Sequence, residues 1–149
     1  MGYEFLSPGE LTDGELRLVL EWMKDGNPAY QTVATYEFEI RLGTQRVGRI
    51  GFRCEPTHYM TMYAGNIGYR IDEPFRGHRY AARAIGLLTP FMRRHDFSTA
   101  WITIDPENTA SRRTAELAGA VFVEIVDLLP DDEQYKDGER RKCRYRLDL

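Results

Sequence analysis

The chain has 149 residues, 42% of them apolar and 29% charged, which suits one soluble globular domain long enough to bury a proper core. Its 20 cations against 23 anions leave a net charge of −3, which argues against a general nucleic-acid binder. No stretch approaches the ~20 apolar residues of a membrane span. Met1-Gly-Tyr-Glu lacks the basic end and apolar core of a secretory signal, and Leu6 stands where a myristoylation signal wants Ser or Thr. Cys54 and Cys143 follow no metal or redox spacing, and the three histidines are scattered, so no metal is expected. Both thiols read as reduced strand residues of a cytoplasmic protein.

In chain order, Thr12 or Asp13 is a cap for a helix carrying Leu16, Val19, Leu20 and Met23 on one stripe, ending before Gly26-Asn-Pro28. Residues 32–42 alternate as a strand, Gly43-Thr-Gln-Arg is a turn, and 47–54 alternate again, which makes a hairpin. A loop or hairpin end at 55–62 precedes a third strand, Tyr63 to Ile71. A long helix then puts Ala81, Ala84, Ile85, Leu88, Phe91 and Met92 on one face, with Pro90 expected to bend or loosen its last turns. Thr99–Ile104 is a strand. Asp105-Pro106 signals the start of the next helix and Gly119 its stop. Strands at 121–126 and 140–147 close the chain, joined by an acidic segment. This order gives one α+β domain over residues 1–149, a single mixed central sheet flanked by helices, in which the strands at 63–71 and 99–104 are parallel and adjacent.

Two segments carry the chemistry. Asp72-Glu-Pro-Phe-Arg-Gly-His-Arg-Tyr-Ala81 leads from a strand into the long helix and sets Arg76, His78, Arg79 and Arg83 around its first turn. Unpaired N–H groups and the positive end of the peptide dipoles make such a terminus a seat for phosphate, and Gly77 permits a tight turn and close approach. The alternative is a solvated helix end that happens to be basic. Residues 76–94 hold five arginines and no acid, whereas 127–139 hold six acids and one lysine. A basic half and an acidic rim suit an anionic cofactor and a cationic acceptor; the acidic run is otherwise a solvated hairpin tip.

Arg76-x-x-Arg79-x-Ala81, followed after one strand by Asn108-x-x-Ser111 in a helix ending at Gly119, resembles the GNAT superfamily of acyl-coenzyme A N-acyltransferases. The resemblance covers roughly residues 63–126. It implies a GNAT-like fold in which the two strands around the long helix splay apart and the acyl-pantetheine arm lies in the gap. It also implies acetyl-CoA as co-substrate, with the pyrophosphate on the amides of Gly77, His78, Arg79, Tyr80 and Ala81, assisted by Arg76 and by charge from Arg83. Asn108 is either only a cap or first-turn residue or, by the resemblance, meets the pantetheine together with Ser111, and the backbone near Ile71 would donate to the oxyanion. Arg112 and Arg113 are either solvent-facing or within reach of the ribose phosphate. Two departures stand out. Arg79 occupies a position that the family usually leaves as glycine, and Ala115 stands where many relatives have a proton-donating Tyr.

Acetyl transfer from a thioester to an amine needs orientation, an oxyanion donor, loss of a proton by the ammonium and relief of the leaving thiolate. Ser111 is the expected hydroxyl for the thiolate, with Tyr135 as rival. Glu124 is the expected base, ahead of Glu55, His58 and relay through water. The function so implied is N-acetylation of a primary amine on a small molecule or peptide, in a ternary complex. A non-catalytic coenzyme A-binding regulatory module is the alternative, and an unrelated phosphate-binding scaffold a weaker third. No nucleic-acid or membrane partner is expected, and a homodimer is left open.

Overall fold

The computed structural model describes residues 2–149. The first difference from expectation comes early. Leu16–Lys24 is a strand, β2, paired with the short β1 (Leu11–Thr12). Leu16, Val19, Leu20 and Met23 fit a helical stripe, but Leu16, Leu18 and Leu20 fit a two-residue repeat as well, and it is Leu16 and Leu18 that are buried. The expected capping side chains are used in the β1–β2 turn. Asp13 Oδ1 accepts the amides of Glu15 and Leu16, Thr12 Oγ1 accepts that of Gly14, and Gly14 takes φ +95°.

Strands β3 (Thr35–Leu42) and β4 (Gln45–Arg53) form the expected hairpin, and β5 (Ile67–Ile71) completes an antiparallel sheet in the order β1-β2-β3-β4-β5. Part of the expected third strand is not extended: Met60–Ala64 is a π-helical turn, closed by Gly65 at φ +79°. Helix α1 (Tyr80–Arg93) covers one face of this sheet, packing Ala84, Ile85, Leu88, Phe91 and Met92 into a core with Tyr36, Phe38, Ile50 and Phe52. It runs through Pro90 without a break. The carbonyl that Pro90 cannot serve belongs to Gly86, which is exposed to water.

Strands β6 (Thr99–Ile104), β7 (Val121–Asp127) and β8 (Arg141–Asp148) form a second antiparallel sheet, ordered β6-β8-β7. Helix α2 (Thr109–Leu117) connects β6 to β7, and a short α3 (Glu133–Lys136) lies in the acidic segment. Asn108, not Asp105, caps α2, accepting the Ser111 amide at 3.1 Å, while Asp105 closes its own turn on the Glu107 amide. Gly119, at φ +97°, ends α2 as expected, with the Ala120 amide returning to the Ala115 carbonyl.

The α+β class stands, but β5 and β6 share no ladder. They meet at one end through Asn66, whose amide donates to the Trp101 carbonyl at 2.7 Å while its Oδ1 accepts the Trp101 amide at 3.0 Å. Thr103 Oγ1 adds a bond to the Tyr63 carbonyl. A Cβ at Gly65 would lie 3.0 Å from the Thr103 nitrogen, so a larger residue would push the strands apart. Asn66 is fully buried. Asn66→Ala strands the Trp101 amide and a contact to the Arg53 carbonyl, and should cost about 2–4 kcal/mol in denaturant unfolding.

The N-terminal segment is tied to the core through a polar chain. The Leu6 amide donates to Tyr36 Oη at 2.7 Å, and Tyr36 lies 2.9 Å from His95 Nε2. His95 Nδ1 sits 2.9 Å from the Phe91 carbonyl, which can only accept. The neutral tautomer with hydrogen on Nδ1 therefore receives the Tyr36 hydroxyl on Nε2. Burial, the main cause, lowers the His95 pKa. The unfolded state then binds the proton more readily, so His95 contributes stability above the ordinary histidine pKa that is lost as pH falls through it toward the lowered value. Thermal melts should drop as pH falls below about 6.5, and His95→Gln should flatten that drop.

Candidate functional site

Beyond Asn66, a cleft of about 330 Å³ lies beside the C-terminal part of β5. Its walls are the end of β5, the loop into α1 and the first turn of α2. Ile71, Arg76, Gly77, His78, Arg79, Tyr80, Ala81, Asn108 and Ser111 all line it, so the structure brings together the whole expected cofactor set. The loop conformation explains the sequence. Gly77 takes φ +91° and Arg79, the residue before α1, takes φ +62°. Successive turns of this kind leave consecutive N–H groups facing outward, and none of the amides of residues 77–81 donates a hydrogen bond among the described residues. That row, at the positive end of a 14-residue helix, has the geometry and dipole that suit an anion.

The side chains divide sharply. Arg76 Nε donates to the Ile71 carbonyl at 2.9 Å, which ties the loop to the strand end. His78 and Arg79 are exposed and their side chains hold no hydrogen bond or ion pair among the described residues, His78 lying only against the Tyr80 ring. Arg83 is committed elsewhere, contrary to expectation. It reaches Asp13 and Glu15 of the β1–β2 turn, each at 2.8 Å, and its guanidinium holds the Asp13 carboxyl down to about 2. Arg112 is likewise occupied, donating to Tyr145 Oη and the Pro106 carbonyl, whereas Arg113 stays exposed beside Glu116.

A residue absent from the sequence-based set completes the cleft. Tyr69 of β5 also lines it, and its hydroxyl lies 3.1 Å from the Ser111 carbonyl and 3.0 Å from Ser111 Oγ. A carbonyl only accepts, so Tyr69 donates to it and Ser111 Oγ donates back to the phenol. Burial is the main reason that the Tyr69 pKa is raised, with the Ser111 bond opposing it. The signal was present only as an aromatic on a strand.

Glu124 lies away from the cleft. It projects from the exposed β7 strand and forms a 2.6 Å ion pair with Arg144, whose guanidinium also bonds the Thr61 carbonyl. Tyr135 stacks on Arg140 and lines neither cavity. Glu55 and His58 line a second, larger cavity of about 1080 Å³, bounded by residues 2–3, 25–33, 55–63 and 129–132. It borders the turn that precedes β5, whereas the row of open amides follows that strand's end.

Comparison with known proteins agrees with this geometry. The acetyltransferase (GNAT) domain family matches residues 2–121, and the chain belongs to that family. It is an acyltransferase by that membership. RimL, a ribosomal L7/L12 alpha-N-protein acetyltransferase solved with coenzyme A, superposes with TM-score 0.67 at 17% identity, covering 94% of this chain and 98% of that one. Mycobacterium smegmatis RimJ, solved with CoA-disulfide, gives TM-score 0.60 at 18% identity over 77% of this chain and 53% of its own. The microcin C7 self-immunity acetyltransferase MccE, solved with acetyl-CoA and AMP, gives 0.59 at 18% over 77% of this chain, which spans 61% of MccE. No curated protein sequence matches the chain.

Arg79 stands in backbone space that glycine occupies more readily. Arg79→Gly should therefore leave folding stability unchanged or raise it by up to about 1 kcal/mol in urea unfolding.

Proposed function

We propose that this protein transfers an acetyl group from acetyl-CoA to a primary amine by direct attack in a ternary complex. The observation that carries the reading is the row of unpaired amides at 77–81, which shares one cleft with Asn108 and Ser111 at the end of β5. Acetyl-CoA supplies the activated thioester. The chain's own groups do the rest. Amides 77–81 hold the pyrophosphate, and Arg76 keeps their loop against Ile71. Asn108 and Ser111 meet the pantetheine arm, and the end of β5 near Ile71 offers the carbonyl oxygen a backbone donor.

The Tyr69–Ser111 hydroxyl pair is the proton source for the leaving thiolate. This fills the role left open by Ala115. The amine enters from the larger cavity and sheds its proton there, with Glu55, His58 and water as carriers. Glu124 is not in this scheme, because its carboxylate is paired with Arg144 on β7.

Thiol release on mixing the protein with acetyl-CoA and an amine library tests the reading. Release that needs both substrates is expected; coenzyme A binding without release from any amine would favour a regulatory module. Tyr69→Phe should lower kcat roughly ten- to hundredfold while leaving acetyl-CoA affinity nearly unchanged. A variant with full kcat would remove Tyr69 from the mechanism. Arg79→Gly should hold coenzyme A affinity within about tenfold by calorimetry, ~1.4 kcal/mol, since the loop presents backbone. Arg76→Ala should weaken affinity, because the loop loses its tie to Ile71 and the anion a nearby charge, and added salt should shrink the charge part of that loss.

A further inference from the structure

The larger cavity has an unusual wall. Four carboxylates, Asp25, Glu55, Asp131 and Asp132, line it, and no lysine or arginine does. None of these four takes part in an ion pair among the described residues. Unneutralised carboxylates gathered around one concavity produce a strong negative potential, which the protein must keep at a cost to its own stability.

The arrangement is also built rather than merely acidic. Asp132 is only 9% exposed. Its Oδ1 accepts the Gln134 amide at 2.8 Å and the Tyr59 hydroxyl at 3.1 Å, while Oδ2 has no partner among the described residues. Glu55 behaves alike, giving Oε1 to the Ala34 amide at 2.9 Å and leaving Oε2 free. Gln134 Nε2 donates to the Tyr63 carbonyl, so the acidic segment is fastened to the π-helical turn across the cavity. Glu55 and Asp132, like Asp25 on the Tyr3 amide, are thus each oriented through one oxygen and offer the other, while Asp131 holds no hydrogen bond among the described residues.

We infer that the acceptor is an aliphatic polyamine, a chain of methylenes carrying two or more ammonium groups. This rests on the acetyl-transfer reading above and adds the acceptor's class. One amine must lie near the thioester, and it would occupy a small part of about 1080 Å³. The remaining length and negative charge match further ammonium groups, which only donate hydrogen bonds. The rings of Tyr3, Tyr59 and Tyr63 on the same wall suit the methylenes between them and attract cations over their faces. A peptide fits this wall less well, because its carbonyls are acceptors and the wall is rich in acceptors. An amino acid's carboxylate would be repelled outright.

The test compares 1,4-diaminobutane and spermidine with n-butylamine, and with a lysine-rich tripeptide, as acceptors at low salt. The polyamines should show kcat/KM at least tenfold above the monoamine, an advantage that shrinks as ionic strength rises. Asp131→Asn removes an exposed charge that holds no hydrogen bond, and should narrow the ratio of spermidine to monoamine several-fold. Equal kcat/KM for mono- and polyamines, or preference for the tripeptide, overturns the inference and leaves the acetyl-transfer reading standing. Calorimetry of spermidine on the apoprotein separates the two failures. Saturable binding, weakened in Asp131→Asn, supports the cavity assignment even if no amine is acetylated; absence of binding, alone and with coenzyme A, overturns it.

Discussion

The break between β5 and β6 is the constraint on which the rest of the molecule depends. A continuous ladder there would satisfy the backbone of both strands and leave no room for a ligand. Asn66 permits the break by mimicking a strand neighbour, its amide and side-chain oxygen taking the place of one rung on Trp101. Gly65 lets the chain pass close to Thr103 at that point. The π-helical turn before it is held by buried or half-buried arginines: Arg53 donates to the Ala64 and Gly65 carbonyls, and Arg144 to that of Thr61. Carbonyls that would otherwise be stranded in an irregular segment are thereby paired.

Charge is divided along β5. After its C-terminal end lie open amides, His78 and Arg79; before its N-terminal end lie four carboxylates of the larger cavity. Neither set takes part in an ion pair among the described residues, while Arg83, Arg112 and Glu124, similar in type and close in sequence, are spent on ion pairs or hydrogen bonds that hold elements together. The contrast separates groups reserved for ligands from groups that staple the fold.

The site was legible in the sequence where it is local. Gly77, Arg79 and Ala81 sit within one turn, and Asn108 and Ser111 within another, so spacing alone could group them. What escaped depends on distance along the chain. Arg83 is lost to Asp13 through a contact spanning 70 residues. Tyr69 finds Ser111 across 42 residues, and a single strand tyrosine carries no pattern that announces it. The larger cavity is assembled from four separate stretches and has no motif at all. The misread helix at 12–24 has another cause. Leucines at 16, 18 and 20 satisfy a strand while 16, 19, 20 and 23 satisfy a helix, and pairing with β3 decides between them.

The central claim is that backbone amides at the start of α1 hold the anionic end of the co-substrate. Titrating the isotopically labelled protein with coenzyme A and following its amide resonances tests this most directly. The largest shifts should fall on residues 77–81, with smaller ones at Tyr69, Asn108 and Ser111. Binding that leaves residues 77–81 unmoved and shifts another region, or no binding at all, would contradict the account.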